Sequence, residues 1–186
     1  MPNNIVLLGM IGSGKSTLAT QLESFGFLVL APGRLYRSEY EQKTEFGLKA
    51  YSYWGNGNLC PDEMTNELMQ NIMVAAGSNN LIFDGYPRSK RQAEFLDVHC
   101  KIPLVLDLSV SEDTAIKRLL KRKEIDNRSD DTEEIIRQRF IVYNKNNKDM
   151  VSYYLNEGPK YRYRLIDAES TIKDTLDNVI YVISTL

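Results

Sequence analysis

The sequence predicts a three-layer α/β fold in which helices cover both faces of a central parallel β-sheet. Short apolar runs alternate along the chain with longer segments of helical periodicity, the pattern of repeated βαβ units. The first run leads directly into a glycine-rich loop and then a helix. With 186 residues, 42% of them apolar, the chain is long enough for one such domain with a sizeable core.

Each expected strand is a short, almost purely apolar run, as is typical of strands buried on both faces of a sheet. The strands are expected at Asn4–Leu8, Phe27–Leu30, Leu81–Phe83, Leu104–Leu108 and Tyr163–Ile166.

Helices are expected between these strands, and several begin with a capping signal. Pro61 suits the first turn of a helix that ends near residue 76, and Ser111 is a plausible N-cap. Asp131 with Glu134 resembles a capping box. The remaining helices are expected at Ser16–Phe25 and Thr171–Ser184.

Two stretches depart from the alternation. Residues 32–59 contain no strand and carry five Tyr and Trp side chains, which predicts a helical insertion. Residues 122–130 are short and charged, which predicts a loop between two helices. We therefore expect a single domain over residues 1–186, with a core of 1–31, 60–121 and 132–186, an insertion at about 32–59 and a short lid at about 122–131.

Composition excludes several classes of protein. The 23 basic and 25 acidic residues give a net charge of −2, so no general basic field exists to bind nucleic acid. The longest nearly apolar run, Ile5 to Gly12, is too short to span a membrane, so we expect a cytoplasmic protein. Cys60 and Cys100 match no zinc or redox spacing and are expected to be free thiols.

The segment from Gly9 to Ser16 matches the phosphate-binding pattern G-x-x-x-x-G-K-[ST] at every fixed position. Glycines allow several backbone N–H groups to point at one polyphosphate, and the following helix N-terminus adds positive potential. Lys15 can bridge the outer phosphates, and the Ser16 hydroxyl can bind Mg²⁺. The sequence therefore predicts a P-loop fold with an ATP site at Gly12, Ser13, Gly14, Lys15, Ser16 and Thr17.

A second constellation follows the third predicted strand. Asp84 ends an apolar run, as a carboxylate that holds Mg²⁺ through water would. Gly85 permits close backbone approach, and the planar guanidinium of Arg88 can grip a phosphate. If a helix begins at Arg88, Gln92 lies one turn further on the same face, where its amide can read a base edge.

These residues carry a resemblance to a known family. The segment Asp84–Gln92 is similar to the D-G-[FY]-P-R-[ST]-x-x-Q signature of adenylate kinases and other nucleoside monophosphate kinases. Gly33–Arg37 resembles the family's G-D-x-x-R segment, and Gly57–Asp62 resembles G-x-L-V-P-D. Arg128–Asp131 looks like R-x-D-D, and the similarity extends in order over nearly the whole chain.

The resemblance implies a role for each matching residue. The insertion would bind the nucleoside monophosphate (NMP), and the cations Lys15, Arg88, Arg122, Arg128 and Arg139 would carry the chemistry. Arg118 and Arg122 would flank the ATP phosphates. The NMP site would comprise Arg37, Leu59, Gly85, Arg88, Gln92, Arg128 and Arg139.

The implied activity is reversible, Mg²⁺-dependent phosphoryl transfer from ATP to AMP, which gives two ADP. Only five residues separate Arg122 from Arg128, and none is a cysteine, so the chain resembles the short-lid members without zinc. A monomer is expected from the family.

Several positions differ from the family pattern. Ala31 and Pro32 stand where relatives have Ser and a Thr that helps to read adenine, and Arg34 replaces an Asp. Ile11 stands where relatives often have Pro, and Ser16 replaces a common Gly.

The changes at Ala31, Pro32 and Arg34 leave two alternatives open: a kinase for CMP, UMP or another monophosphate, and a non-enzymatic nucleotide-binding relative with an altered acceptor site. A P-loop kinase of a small metabolite would not need Arg88 with Gln92.

Overall fold

A computed structural model describes residues 3–77, 80–126, 132–157 and 162–185. It contains a five-stranded sheet in the order β2-β3-β1-β4-β5, with every neighbouring pair parallel. The predicted three-layer α/β fold is confirmed. The strands are β1 (Asn4–Gly9), β2 (Leu28–Leu30), β3 (Leu81–Asp84), β4 (Leu104–Ser109) and β5 (Arg162–Asp167).

Helices occupy most of the connections between the strands. They are α1 (Lys15–Leu22, then a 3₁₀ turn at Glu23–Phe25), α2 (Pro32–Glu41), α3 (Glu45–Trp54), α4 (Asp62–Ala76), α5 (Lys90–His99), α6 (Glu112–Asp126), α7 (Glu133–Ser152, then a π-helical turn at Tyr153–Glu157) and α8 (Ile172–Ser184).

The apolar strands supply both layers of the core because successive side chains point to opposite faces of the sheet. Val6 and Phe83 belong to a cluster that also contains residues of α4, α5 and α7. Ile5 and Ile82 belong to a second cluster, which includes residues of α1 and α8. Both predicted thiols are confirmed as free and buried.

Four expected helix boundaries were wrong. Helix α5 begins at Lys90, after the N-cap Ser89, rather than at Arg88. Pro61 is the N-cap before α4 rather than its first helical residue. The N-cap of α7 is Thr132, whose side chain accepts a hydrogen bond from the Ile135 N–H; the expected cap, Asp131, lies outside the described residues. The loop expected from Arg122 begins later, because α6 continues to Asp126 through a segment free of Gly and Pro. Ser111 caps α6 as expected, accepting from the Thr114 N–H at 3.3 Å.

Residues 32–59 contain two helices, α2 and α3, as the absence of a strand pattern predicted. Aromatic rings join them: Tyr40 stacks on Tyr51 with ring centroids 4.1 Å apart, and Trp54 meets both rings edge-on. The Tyr36 hydroxyl donates to Thr65 Oγ1 at 2.9 Å and thereby ties α2 to α4.

The register of the sheet sets the position of two carboxylates. Leu7 of the central strand β1 pairs with Asp84 of β3, and Leu8 pairs with Asp107 of β4. Both aspartates therefore lie near the carboxyl end of β1, where the glycine-rich loop begins. In open α/β sheets this is the edge at which ligands bind.

Gly47→Ala is expected to destabilise the insertion, because a Cβ at this position would lie 2.2 Å from the Glu39 carbonyl carbon and 2.4 Å from the Tyr40 nitrogen. Backbone atoms cannot swing aside as a flexible side chain can, so α2 and α3 must separate. We expect a loss of about 2 kcal/mol in the free energy of unfolding, measured by urea denaturation. Lys49→Ala, at an exposed position of α3, is the matched control. A Gly47 variant as stable as the wild type would contradict this close packing.

Candidate active site

The loop between β1 and α1 has a backbone that only glycine adopts easily. Gly9, Gly12 and Gly14 have φ values of 131°, 79° and 96°. A Cβ on Gly12 would lie 2.6 Å from the carbonyl oxygen of Ala115, so the loop also packs tightly against α6. Helix α1 then begins at Lys15, which directs its free N-terminal N–H groups toward the loop.

The ammonium group of Lys15 folds back into this loop. Lys15 Nζ donates to the carbonyl oxygens of Gly9 and Met10, both at 2.7 Å, and to Ser13 Oγ at 3.2 Å. Burial lowers the pKa of Lys15 to about 8, although the charges of Asp84 and Asp107 oppose the shift. The three acceptors hold the ammonium inside the loop.

Two buried carboxylates flank this lysine. Asp84 and Asp107 are 7% and 6% exposed. The Tyr163 hydroxyl of β5 donates to Asp107 Oδ2 at 2.5 Å, yet burial still raises the pKa of Asp107 above its ordinary value. Asp84 accepts no hydrogen bond from any residue that the structure describes, so its oxygens keep their lone pairs for another partner.

The acceptor side begins directly after β3. Gly85 has a φ of 70°, and its carbonyl oxygen accepts from Arg88 Nε at 2.8 Å. The Arg88 backbone N–H donates to Gln92 Oε1 at 2.7 Å, and Gln92 Nε2 donates to Asp62 Oδ1 at 2.8 Å. Gln92 is 2% exposed, so both ends of the amide expected to read a base are engaged by protein groups.

One cleft, open to solvent at its mouth, joins the loop after β1 to the segment after β3. It brings together five of the residues singled out from the sequence: Lys15, Leu59, Gly85, Arg88 and Arg139. Cations from the loop after β1, from the segment after β3 and from α7 therefore face the same space.

Other predicted residues lie outside this lining. Arg118 Nη2 donates to the Ser170 carbonyl oxygen at 2.8 Å and Nη1 to that of Ser13 at 3.4 Å, so Arg118 borders the loop from the side of α6. The guanidinium of Arg37 lies near Gly33, and the charge of Arg122 acts on Lys15. Arg128 lies outside the described residues.

Sequence reasoning singled out Arg139 of α7 but missed the other residues of that helix face and Asp107. Tyr143, Asn147 and Met150 line the cleft together with Arg139. They follow Arg139 at successive intervals of four, four and three residues, which marks one helical face, and that was the available signal. Asp107 interrupts the apolar run of β4, and an ionisable residue inside a buried strand was likewise a visible signal.

The structure also places the two residues that differ from the expected acceptor-site pattern. Pro32 is buried at the first position of α2, and the preceding Ala31 provides no side-chain cap. Arg34 is exposed, and its Nη2 donates to Thr20 Oγ1 of α1 at 2.9 Å. The extra cation is thus bonded to the neighbouring helix.

Comparison with known proteins shows which family the chain belongs to. A family model described as adenylate kinase matches residues 7–159. An adenylate kinase of Bacteroides fragilis is 35% identical over 98% of this chain and 99% of its own length. Those of Thermobifida fusca and Oenococcus oeni are 38% and 35% identical over 83% and 100% of this chain, covering 85% and 100% of their own lengths.

The chain belongs to the adenylate kinase family. It is therefore a phosphotransferase that acts on nucleotides, as the resemblance implied. Within residues 3–77, 80–126, 132–157 and 162–185, this family member has no helix long and apolar enough to cross a membrane. The same ranges hold no cluster of three or more His, Cys, Asp or Glu side chains arranged to bind a metal.

Lys15→Ala is expected to lower kcat at least 100-fold with any acceptor, because it removes a preorganised cation from the phosphate-binding loop. A coupled assay of ADP formation measures the loss. Lys117→Ala, which removes an exposed cation from α6, should leave kcat within twofold of the wild type. Comparable activity in the Lys15 and Lys117 variants would contradict a catalytic role for Lys15.

Asp107→Asn is expected to raise Tm by about 2 °C or more at pH 7, because a buried carboxylate whose pKa is raised costs stability when ionised. The amide oxygen can still accept from Tyr163. The difference in Tm between the variant and the wild type should disappear as the pH falls from the raised pKa of folded Asp107 to the pKa of an exposed aspartate. The wild-type carboxyl is then neutral in the folded protein and no longer costs stability. Calorimetric scans from pH 8 to pH 4 measure this; a lower Tm for the variant at pH 7 would contradict it.

Proposed function

We propose that this chain transfers the γ-phosphoryl group of ATP reversibly to AMP, with formation of two ADP. One observation carries the proposal: Lys15 of the phosphate-binding loop shares a single cleft with Arg88 and Arg139. Cations from two separate parts of the fold thus face one space, as a reaction between two phosphorylated substrates requires.

The donor half of the site is built around the loop between β1 and α1. The backbone N–H groups there would cradle the ATP phosphates, and Lys15 would leave its carbonyl partners for phosphate oxygens. Arg118 and Arg122 would compensate further charge from α6. The contributing residues are Gly12, Ser13, Gly14, Lys15, Ser16, Thr17, Arg118 and Arg122.

Ser16 and Asp84 fit a Mg²⁺ ion. Ser16 is exposed beside Lys15, and Asp84 has oxygens unused by the described residues. Hydroxyl and carboxylate oxygens suit this hard cation, which also keeps several waters. Ser16 and Asp84 would hold the ion, which would supply positive charge to neutralise the phosphates.

The acceptor half lies around α2, β3 and α7. Arg37, Arg88 and Arg139, together with Arg128, would hold the monophosphate by bidentate contacts. The backbone at Leu59 and Gly85 and the amide of Gln92 would adjoin the nucleoside. A monophosphate is already ionised near neutral pH, so the reaction needs positioned cations rather than a general base.

Transfer to AMP rather than to water requires a dry site. The segment that leaves the insertion already contacts α7: Gln138 Nε2 donates to Asn58 Oδ1 at 3.0 Å. A Cβ on Gly57 would lie 3.0 Å from the Ile135 carbonyl oxygen, so this contact is close. Further closure of the insertion and of the short lid over both nucleotides would exclude water.

We propose that the enzyme acts as a cytoplasmic monomer.

An acceptor panel tests this function. Purified protein is mixed with ATP, Mg²⁺ and each of AMP, CMP, UMP and GMP, and diphosphate formation is measured. We expect the highest kcat/KM with AMP, and hydrolysis of ATP without acceptor at less than one hundredth of that turnover. A preference for another monophosphate would overturn the choice of AMP, and absence of transfer to every acceptor would overturn the activity itself.

A further inference from the structure

The hydrogen bonds around Gln92 hold its side-chain amide in one orientation. Oε1 accepts from the Arg88 backbone N–H at 2.7 Å, and Nε2 donates to Asp62 Oδ1 at 2.8 Å. A backbone N–H can only donate, and a carboxylate can only accept. Turning the amide over would therefore place two donors together at Arg88 and two acceptors together at Asp62.

Asp62 is itself fixed at the junction of two helix N-termini. It is the first residue of α4, where the helix dipole favours a negative charge. Its second oxygen, Oδ2, accepts from Ser89 Oγ at 2.9 Å, and Ser89 is the N-cap of α5. The carboxylate thus has separate partners on each oxygen, and this leaves Oδ1 directed at the amide of Gln92.

The fixed amide retains one acceptor position and one donor position for a ligand. Oε1 has a second lone pair and Nε2 a second hydrogen, and no described residue uses either one. A base with an exocyclic amine next to an unprotonated ring nitrogen complements this pair, as adenine and cytosine do. A base with an exocyclic oxygen next to a ring N–H, such as hypoxanthine or uracil, presents the opposite polarity.

We propose that Asp62 is a positioning residue that fixes the polarity of Gln92 and thereby selects amino bases over oxo bases in the acceptor site. This inference rests on the proposed function. It gives the selection a physical source that does not need a hydroxyl at Pro32. Gln92 is only 2% exposed, so the protein groups that cover its side chain must move before a base can contact the amide.

Calorimetric titration of the full chain tests the inference with two matched pairs, AMP with IMP and CMP with UMP. Within each pair, the bases differ only by the exchange of amine for oxygen and the accompanying ring proton. For the wild type we expect tighter binding of the amino member of each pair. Asp62→Ala should lower the AMP/IMP ratio of affinities at least tenfold, because one charged hydrogen bond no longer orients the amide. The Kd for ATP should stay within twofold.

Two further variants separate orientation from folding. Asp62→Asn keeps an acceptor oxygen but loses its charge, so its AMP/IMP ratio should lie between those of the wild type and Asp62→Ala, at least threefold below the wild type. Ser89→Ala removes the N-cap of α5 and the other partner of Asp62, and leaves the amide contacts in place. Ser89→Ala should therefore lower Tm, while its AMP/IMP ratio of affinities stays within twofold of the wild-type ratio.

Several outcomes would overturn the proposal. They are a wild type that binds AMP and IMP equally, an Asp62→Ala variant that keeps the wild-type ratio, and a Ser89→Ala variant that loses the ratio as strongly as Asp62→Ala. If Asp62→Ala does not fold, an unchanged ratio in Asp62→Asn overturns it instead. A wild type that discriminates in binding but forms no ADP would refute the proposed activity and leave the assignment of Asp62 standing.

Discussion

The site depends on how one buried ammonium is accommodated at the carboxyl edge of a parallel sheet. Lys15 bonds to two carbonyl oxygens and a hydroxyl of its own loop, and two buried aspartates on the flanking strands act on its charge. Their attraction offsets part of the desolvation that lowers the pKa of Lys15. The loop can present these carbonyl groups only because three glycines adopt positive φ. The conformation of the loop, the register of the sheet and the charge of the site are therefore linked.

The same register brings the acceptor side to this edge. Asp84 ends β3 beside β1, and the next residues turn at Gly85 into the segment that carries Arg88. Helix α7 contributes Arg139, Tyr143 and Asn147 to the lining of the cleft. Residues far apart in sequence become neighbours because parallel strands end at one edge, while the helices stand on the two faces of the sheet.

The changes at Pro32 and Arg34 have different structural consequences. Pro32 occupies the first position of α2, where a missing N–H costs nothing, so the helix still forms. Arg34 contacts Thr20 of α1 on the exposed surface. Neither change disturbs the pairing of Gln92 with Asp62 and Arg88.

The sequence by itself determined the class of fold, the phosphate-binding loop and most of the strands and helices. These features depend on local patterns: apolar runs, capping residues and the spacing of Gly, Lys and Ser. Helix ends were less certain, as Pro61 and residues 122–126 show, because several neighbouring residues can serve as a terminus. Only the tertiary structure decided that Asp107 flanks Lys15, that Tyr143, Asn147 and Met150 of α7 line the cleft beside Arg139, and that Asp62 engages the amide of Gln92. Asp62 and Gln92 are 30 positions apart and Lys15 and Asp107 are 92 apart, and local sequence carries no record of which side chains the packed sheet and helices bring near one another.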